Sequence, residues 1–193
     1  MSVATFSSST DFSPLRLHSR SLGVQFAAVI AGSLLLALSS HIAVPMVPVP
    51  VTMQTFAVTL IGALYGWRLG ALTVLVWLAQ GAAGLPVLAP GVPGIARFVG
   101  PTAGYLFAFP VVAATVGWLA ERGWNGHRPL AAFGAMLIGN ALCLVLGAMW
   151  LATITGVEKA VVAGVVPFII GGVLKSALGA AALRALVPLG RKN

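Results

Sequence analysis

Long apolar runs alternate with short polar or proline-rich interruptions along this chain, and their spacing sets the elements. After a polar head of about 20 residues rich in Ser and Thr, an unbroken apolar run extends from Leu22 to Ala43. A helix rises about 1.5 Å per residue, so about 20 residues cross a ~30 Å hydrocarbon layer. This run is predicted as span one. From Val44 to Thr52 the chain carries Pro45, Pro48 and Pro50, whose missing amide donors force extended backbone. Such a segment lies at the surface or against protein, never facing lipid. Helical pattern resumes at Gln54, runs to Trp67, breaks around Arg68, Leu69 and Gly70, and resumes to Ala83, predicting two short spans, two and three. The stretch Gly84 to Gly100 has turn chemistry yet stays apolar, as a loop that covers something does. Span four is predicted over Pro101 to Ala120, followed by a polar turn from Glu121 to Arg128. Pro129 then opens span five, at a first helical position where a missing donor costs nothing, and the span ends near Thr155. An amphipathic connection, Gly156 to Gly164, leads to span six, Pro167 to Leu186.

Composition sharpens this picture. With 59% apolar and 7% charged residues, the 193-residue chain has too little polar surface to coat a soluble globule. The expectation is an all-α integral membrane protein of six transmembrane helices. Residues 1–21 form a cytoplasmic polar tail, 22–188 the transmembrane domain and 189–193 a basic cytoplasmic tail, with nothing left for an extramembrane domain. The head reads as a tail, not a transit or signal peptide, because it lacks an Arg-bearing amphipathic face and span one is too long for a cleavable core. In the six-span scheme Arg16, Arg20, Arg68, Arg122, Arg128, Arg184, Arg191 and Lys192 fall on one side, and Arg97 and Lys159 on the other. That imbalance places both termini in the cytoplasm and the Pro-rich loops outside. The formal charge of +8 is scattered over helix ends, so it reports orientation and not nucleic acid. Cys143 is alone and forms no intramolecular disulfide.

One base, Lys175, does not fit the interface pattern. It lies about eight residues into span six, about 12 Å below the outer end and beyond snorkelling reach. An ammonium at such depth faces a cavity or a partner. The three acids, Asp11, Glu121 and Glu158, all lie outside the spans, so an anionic ligand is the expected counter-ion. Arg97 reads equally as an interfacial anchor or as a second cation. With the outer loops folded over the mouth, the two would face one pocket suited to a small, mostly apolar carboxylate. Thr52, Gln54, Thr102, Tyr105 and Asn140 are polar neutral candidates in the same region, though each alone is more often a helix-packing hydrogen bond. Trp67, Trp118, Trp124 and Trp150 fall near span ends as belt residues do, whereas Trp77 is deeper and reads as packing. Ala27 and Ala31, like Ala28 and Gly32, are spaced for close approach of another helix, within the chain or from a partner. Catalytic apparatus is not visible. The chain lacks a His pair at metal spacing, a nucleophile elbow and an intramembrane acidic pair. Lys175-Ser176 fails as a phosphate loop because Leu174 stands where glycine is required. No cofactor, no metal and no enzyme activity are expected.

The segments Pro48 to Thr55, Gly81 to Val87, Gly100 to Leu106, Gly139-Asn140 with Gly147 and Trp150, and Pro167 to Lys175 together resemble those of the BioY family, the biotin-binding S components of energy-coupling-factor (ECF) vitamin transporters. Pro48-Val49-Pro50-Val51-Thr52-Met53-Gln54-Thr55 is similar to that family's segment after helix one, and Gly81 to Val87 to its helix-three end. Gly100-Pro101-Thr102-Ala103-Gly104-Tyr105-Leu106 resembles its most specific motif. Gly139-Asn140 with Gly147 and Trp150 resembles its helix five, and Pro167 to Lys175 its helix-six motif. The resemblance spans roughly residues 22 to 188. It departs at Ala103, Ile170 and Gly172, where the family commonly has Gly, Pro and Asp. Loss of the Asp removes an expected acceptor for ureido donors and leaves Thr102, Asn140, Gln54 or a backbone carbonyl to supply one. The resemblance implies a multi-pass protein of a bacterial plasma (cell inner) membrane that captures biotin from outside. Its implied partners are a transmembrane coupling protein, which Ala27 and Ala31 would contact, and two ATPase subunits, with membrane lipids around it and a homo-oligomer as the alternative assembly. The rivals are an S component for another vitamin or for a precursor such as dethiobiotin, an intramembrane enzyme, and a structural assembly subunit. The missing intramembrane carboxylates count against the enzyme, and Lys175 against the structural subunit.

Overall fold

In the computed structural model, which describes Ser13, Leu15 and residues 17–91 and 94–187, the apolar runs are helices. They are α1 (Leu22–His41), α2 (Gln54–Ala82), α3 (Ala103–Glu121), α4 (Pro129–Thr155), α5 (Val157–Gly164) and α6 (Val166–Leu186). Among the described residues, five helical stretches are long and apolar enough to cross a membrane, α5 and α6 counting together as one. The chain is a multi-pass membrane protein. Arg16, Arg191 and Lys192, used above in the count of bases, lie outside the described residues, as do most of the head and the C-terminal tail.

The two short spans expected between Gln54 and Ala83 form the single element α2, interrupted at Gly66 by φ 80° and ψ 175°. Side-chain bonds show how far the chain turns there. Ser33 of α1 donates to Gln80 Oε1 at 2.6 Å, and Gln54 Nε2 donates to Ser40 at 3.0 Å. The two serines are about 10 Å apart along α1, whereas a straight helix would separate the two glutamines by about 39 Å. The segment therefore doubles back, and Gly70 packs so closely that a Cβ on it would lie 3.1 Å from Gly62 Cα.

The break was expected around Arg68 to Gly70 and falls at Gly66 instead. The left-handed φ suits a residue without Cβ, and α3 meets the break with another glycine: a Cβ on Gly117 would come 2.5 Å from Trp67 N. Glu121 Oε1 then accepts from the Trp67 N–H at 3.1 Å, satisfying a donor that a helix start leaves orphaned. Arg68 stays helical, its guanidinium 4.9 Å from the centre of the Trp67 ring.

Smaller differences have local causes. Span one ends at His41, not Ala43, because Ala43–Val44 (β1) pairs antiparallel with Val51–Thr52 (β2), Ala43 opposite Thr52. This two-residue ladder closes the Pro-rich loop and is a small β exception to the all-α expectation. Pro101 and Thr102 form a turn ahead of α3, which starts at Ala103.

The core lies where α2 and α3 meet, around the fully buried Val58, Ile61, Val74, Trp77, Val112 and Val116. α1 and α6 turn large side chains outward, among them Phe26, Leu34, Leu38, Ile170, Leu174 and Leu178. Such faces suit hydrocarbon, where apolar exposure carries no penalty. The apolar loop after α2 is pinned down: Trp77 Nε1 donates to Val87 O at 2.9 Å, and the His41 ring bonds Pro86 O at 2.9 Å. Trp150, expected at the interface, also donates from Nε1 to Gly100 O at 3.0 Å and holds the segment before α3.

Candidate functional site

One cavity beneath the Pro-rich loop and the loop after α2 gathers all seven side chains singled out as ligand candidates: Thr52, Gln54, Arg97, Thr102, Tyr105, Asn140 and Lys175. Helical periodicity explains the convergence. Phe168, Gly172 and Lys175 occupy one face of α6, Asn140, Cys143 and Leu144 one face of α4, and Tyr105, Leu106 and Phe109 one face of α3. Val49, Pro50 and Ala89 roof it from the loops. The walls are mostly apolar, with polar groups set into them at few points, as in small-molecule sites generally.

The polar groups divide by what they already hold. Lys175 Nζ donates to Thr52 O and, at 3.2 Å, to Thr55 Oγ1. These hydrogen bonds do not supply the counter-ion expected from a ligand, but they are partners that counting charges did not bring out. Neutral acceptors from the β2–α2 corner receive it, and neither is a carboxylate. Thr52 Oγ1 donates to Gln54 Oε1 at 3.0 Å, Gln54 passes on to Ser40, and Ser40 Oγ donates to Leu36 O at 2.7 Å. Thr52 and Gln54 thereby stiffen the corner that presents the Thr52 carbonyl to Lys175. Tyr105 donates its hydroxyl to Gly164 O at 2.8 Å and stacks on Phe168 with ring centroids 6.4 Å apart. It offers the cavity a ring and braces α3 against the α5–α6 junction.

Asn140 donates from Nδ2 to Met136 O at 3.0 Å and to Ser176 Oγ at 3.1 Å, while Ser176 donates to Gly172 O at 2.7 Å. A carbonyl only accepts, so the amide nitrogen must face Met136 and the side-chain oxygen faces the other way. Thr102 Oγ1 makes no hydrogen bond among the described residues. Arg97 donates from Nη2 to Pro90 O at 2.8 Å, tying its 3-10 turn (Gly94–Phe98) to the preceding loop. Burial lowers its pKa from the ordinary value. Arg97 and Thr102, with Pro50, also line a second groove, which Pro48, Pro90 and Pro101 help to form.

The reading of single residues passed over Thr55 and Ser176, which hold Lys175 and Asn140. Thr55 stood in the motif beside Gln54 and had a signal, whereas Ser176 gains meaning only from α4. On α1, Ala27 and Ala31 are exposed. Ala28 and Gly32 serve the chain itself: Ala28 O accepts from Tyr65 at 2.9 Å, and Gly32 faces Thr73 and Tyr65.

Comparison with known proteins places this architecture. The model of the BioY family matches residues 11–192. The chain belongs to the BioY family. It is 38% identical over 138 residues to the biotin transporter BioY of Rhizobium etli, covering 68% of this chain and 72% of that one. It is 38% identical over 128 residues to the probable biotin transporter BioY of Pyrococcus horikoshii, covering 66% and 74%. The biotin transporter BioY2 of Lactococcus lactis is 35% identical over 130 residues, covering 67% and 70%. A crystal structure of the S-component for biotin from an ECF-type ABC transporter superposes with a TM-score of 0.76 over 88% of this chain and 95% of that one. At 23% identity that likeness is one of fold. The BioY relatives are named transporters, which agrees with the expectation that this chain is not an enzyme.

Proposed function

We propose that this chain takes up biotin as the substrate-binding S component of an ECF transporter in a bacterial plasma membrane. The carrying observation is the cavity of a BioY-family chain: apolar walls, two cations and uncommitted acceptors under structured loops. Biotin, an apolar bicycle with a urea edge and a carboxylate tail, matches those features. The chain presents no ATP-hydrolysing motif of its own, so it works with an ECF coupling module, one transmembrane protein and two ATPases, surrounded by lipid. Ala27 and Ala31, exposed on α1, support that face as the docking side. Purified full-length protein should bind radiolabelled biotin saturably and release it to excess unlabelled biotin but not to an unrelated vitamin. Displacement by another vitamin at lower concentration than by biotin would refute the substrate assignment.

The same reading gives six crossings, the two arms of α2 counting separately, with both termini inside. The arms, 54–65 and 67–82, are roughly 18 and 24 Å long, which requires the bilayer to thin locally or the flanking loops to enter it. Reporter fusions should report a cytoplasmic location for each terminus. An outside signal from one end alone would leave an odd number of crossings and remove the six-span topology.

A further inference from the structure

At the end of the bundle where α1 begins, the described residues place five arginines, Arg20, Arg68, Arg122, Arg128 and Arg184, and one carboxylate, Glu121. Contacts fix them to this end: Tyr65 bonds Ala28 O, Glu121 accepts from Trp67 N–H, and the turn at Gly126 packs on Leu183 O. Here a groove opens between α1 and the second arm of α2, lined by Leu17, Gln25, Arg68, Leu69 and Leu72. Its outer wall is held in place, since Arg20 N–H donates to Leu17 O and Gln25 Nε2 to Arg20 O, both at 3.1 Å, with the Leu17 side chain buried. Arg68 is exposed and lies over the Trp67 ring, and its guanidinium donates no hydrogen bond and meets no carboxylate among the described residues. Arg68, Leu72, Leu75 and Ala79 recur at helical spacing, and all four are exposed. One stripe of this arm thus begins with a cation and continues as hydrocarbon.

From this geometry we infer that the groove binds one anionic phospholipid, its phosphate on the Arg68 guanidinium and an acyl chain along Leu72 and Leu75. The stripe has the polarity of such a molecule, with charge at the bundle end and apolar surface running inward. A planar guanidinium fork takes two phosphate oxygens at once. The excess of arginines over carboxylates at this end favours a headgroup of net negative charge over a zwitterionic one. A partner helix would call for small residues at close approach, whereas Leu22, Phe26, Leu72 and Leu75 project outward around the groove. The site lies at the opposite end of α1 from His41, which bonds the loop over the cavity, so it is independent of the biotin reading.

Native mass spectrometry of the full chain in detergent, titrated with phosphatidylglycerol, phosphatidylcholine or glycerol phosphate, tests this. Wild type should retain one phosphatidylglycerol saturably, at least roughly fivefold more tightly than phosphatidylcholine, the effect of one arginine near an anionic headgroup. Glycerol phosphate should not displace it. Arg68→Gln should abolish the preference, while Arg122→Gln should keep it, because Arg122 also lies over a tryptophan, Trp118, but outside the groove. An Arg68→Gln protein that keeps the preference overturns the assignment. So does equal loss in Arg122→Gln, which would assign the preference to the overall charge of this end. Displacement by glycerol phosphate would reduce the site to an anion contact and remove the acyl chain from it. Equal retention of both lipids by wild type overturns the assignment without any variant, which covers a failure of Arg68→Gln to fold. If wild type retains no phosphatidylglycerol while Arg68→Gln lowers uptake by cells, the groove belongs to a protein partner and the lipid assignment falls.

Discussion

Lys175 shows how one side chain is kept inside a membrane protein without an acid beside it. An ammonium in an apolar span is costly unless it is hydrogen-bonded, and here the Thr52 carbonyl and the Thr55 hydroxyl receive it. With biotin bound as proposed, removing it has two consequences, loss of a charged donor to the ligand and an orphaned Thr52 carbonyl. Lys175→Ala is expected to weaken biotin binding by about 1.5–3 kcal/mol, the range for a hydrogen bond to a charged group. Lys175→Arg should not restore affinity, since a planar fork replaces a compact ammonium poorly where both acceptors are fixed. Titration calorimetry of the two variants checks this, and wild-type affinity in Lys175→Ala would exclude a ligand contact. The place of Lys175 in the interior of α6 was legible from the sequence, because it follows from counting residues along one helix. Its partners were not, because Thr52 lies 123 residues away along the chain.

At the scale of elements, the fold-back of α2 depends on three residues from two helices. Gly66 supplies the left-handed turn, Gly117 the room and Glu121 the acceptor for Trp67 N–H. A Cβ at φ 80° and ψ 175°, a region essentially confined to glycine, costs about 1–3 kcal/mol, and loss of a helix-start acceptor costs about 0.5–2 kcal/mol. Gly66→Ala and Glu121→Ala should each lower the melting temperature of the purified protein, while Glu121→Gln, which keeps an acceptor oxygen, should melt close to wild type. Melting of Glu121→Gln as low as Glu121→Ala would show that its charge, not the cap, matters. The sequence marked a break in this region through Arg68 and Gly70. It misplaced the turn because the deciding contacts come from α3.

For the whole molecule, the outward faces of α1 and α6 meet lipid or a partner, and small residues distinguish part of α1. Ala31→Leu adds bulk at an exposed position of α1. It is expected to lower biotin uptake by cells several-fold while leaving binding by purified protein unchanged. Equal loss of binding and uptake would return Ala31 to internal packing.

What the sequence by itself determined was everything set by neighbours along the chain. The apolar run lengths marked the helices, the prolines excluded helix from Val44 to Thr52, and residue counting put Lys175 in the interior of the last helix. Even the cavity-lining candidates were legible, since Thr52, Gln54, Thr102, Tyr105 and Asn140 stand out as polar residues in apolar surroundings. The tertiary structure alone decided how those groups are used. It committed Tyr105 to Gly164, Thr52 and Gln54 to the loop corner, and Asn140 to Ser176. The physical reason is that a buried hydrogen-bonding group must find a partner, and in a helical membrane protein the partner of a side chain lies on another helix. The local pattern fixes which groups are buried, and only the packing of helices distant in sequence fixes what each is bonded to.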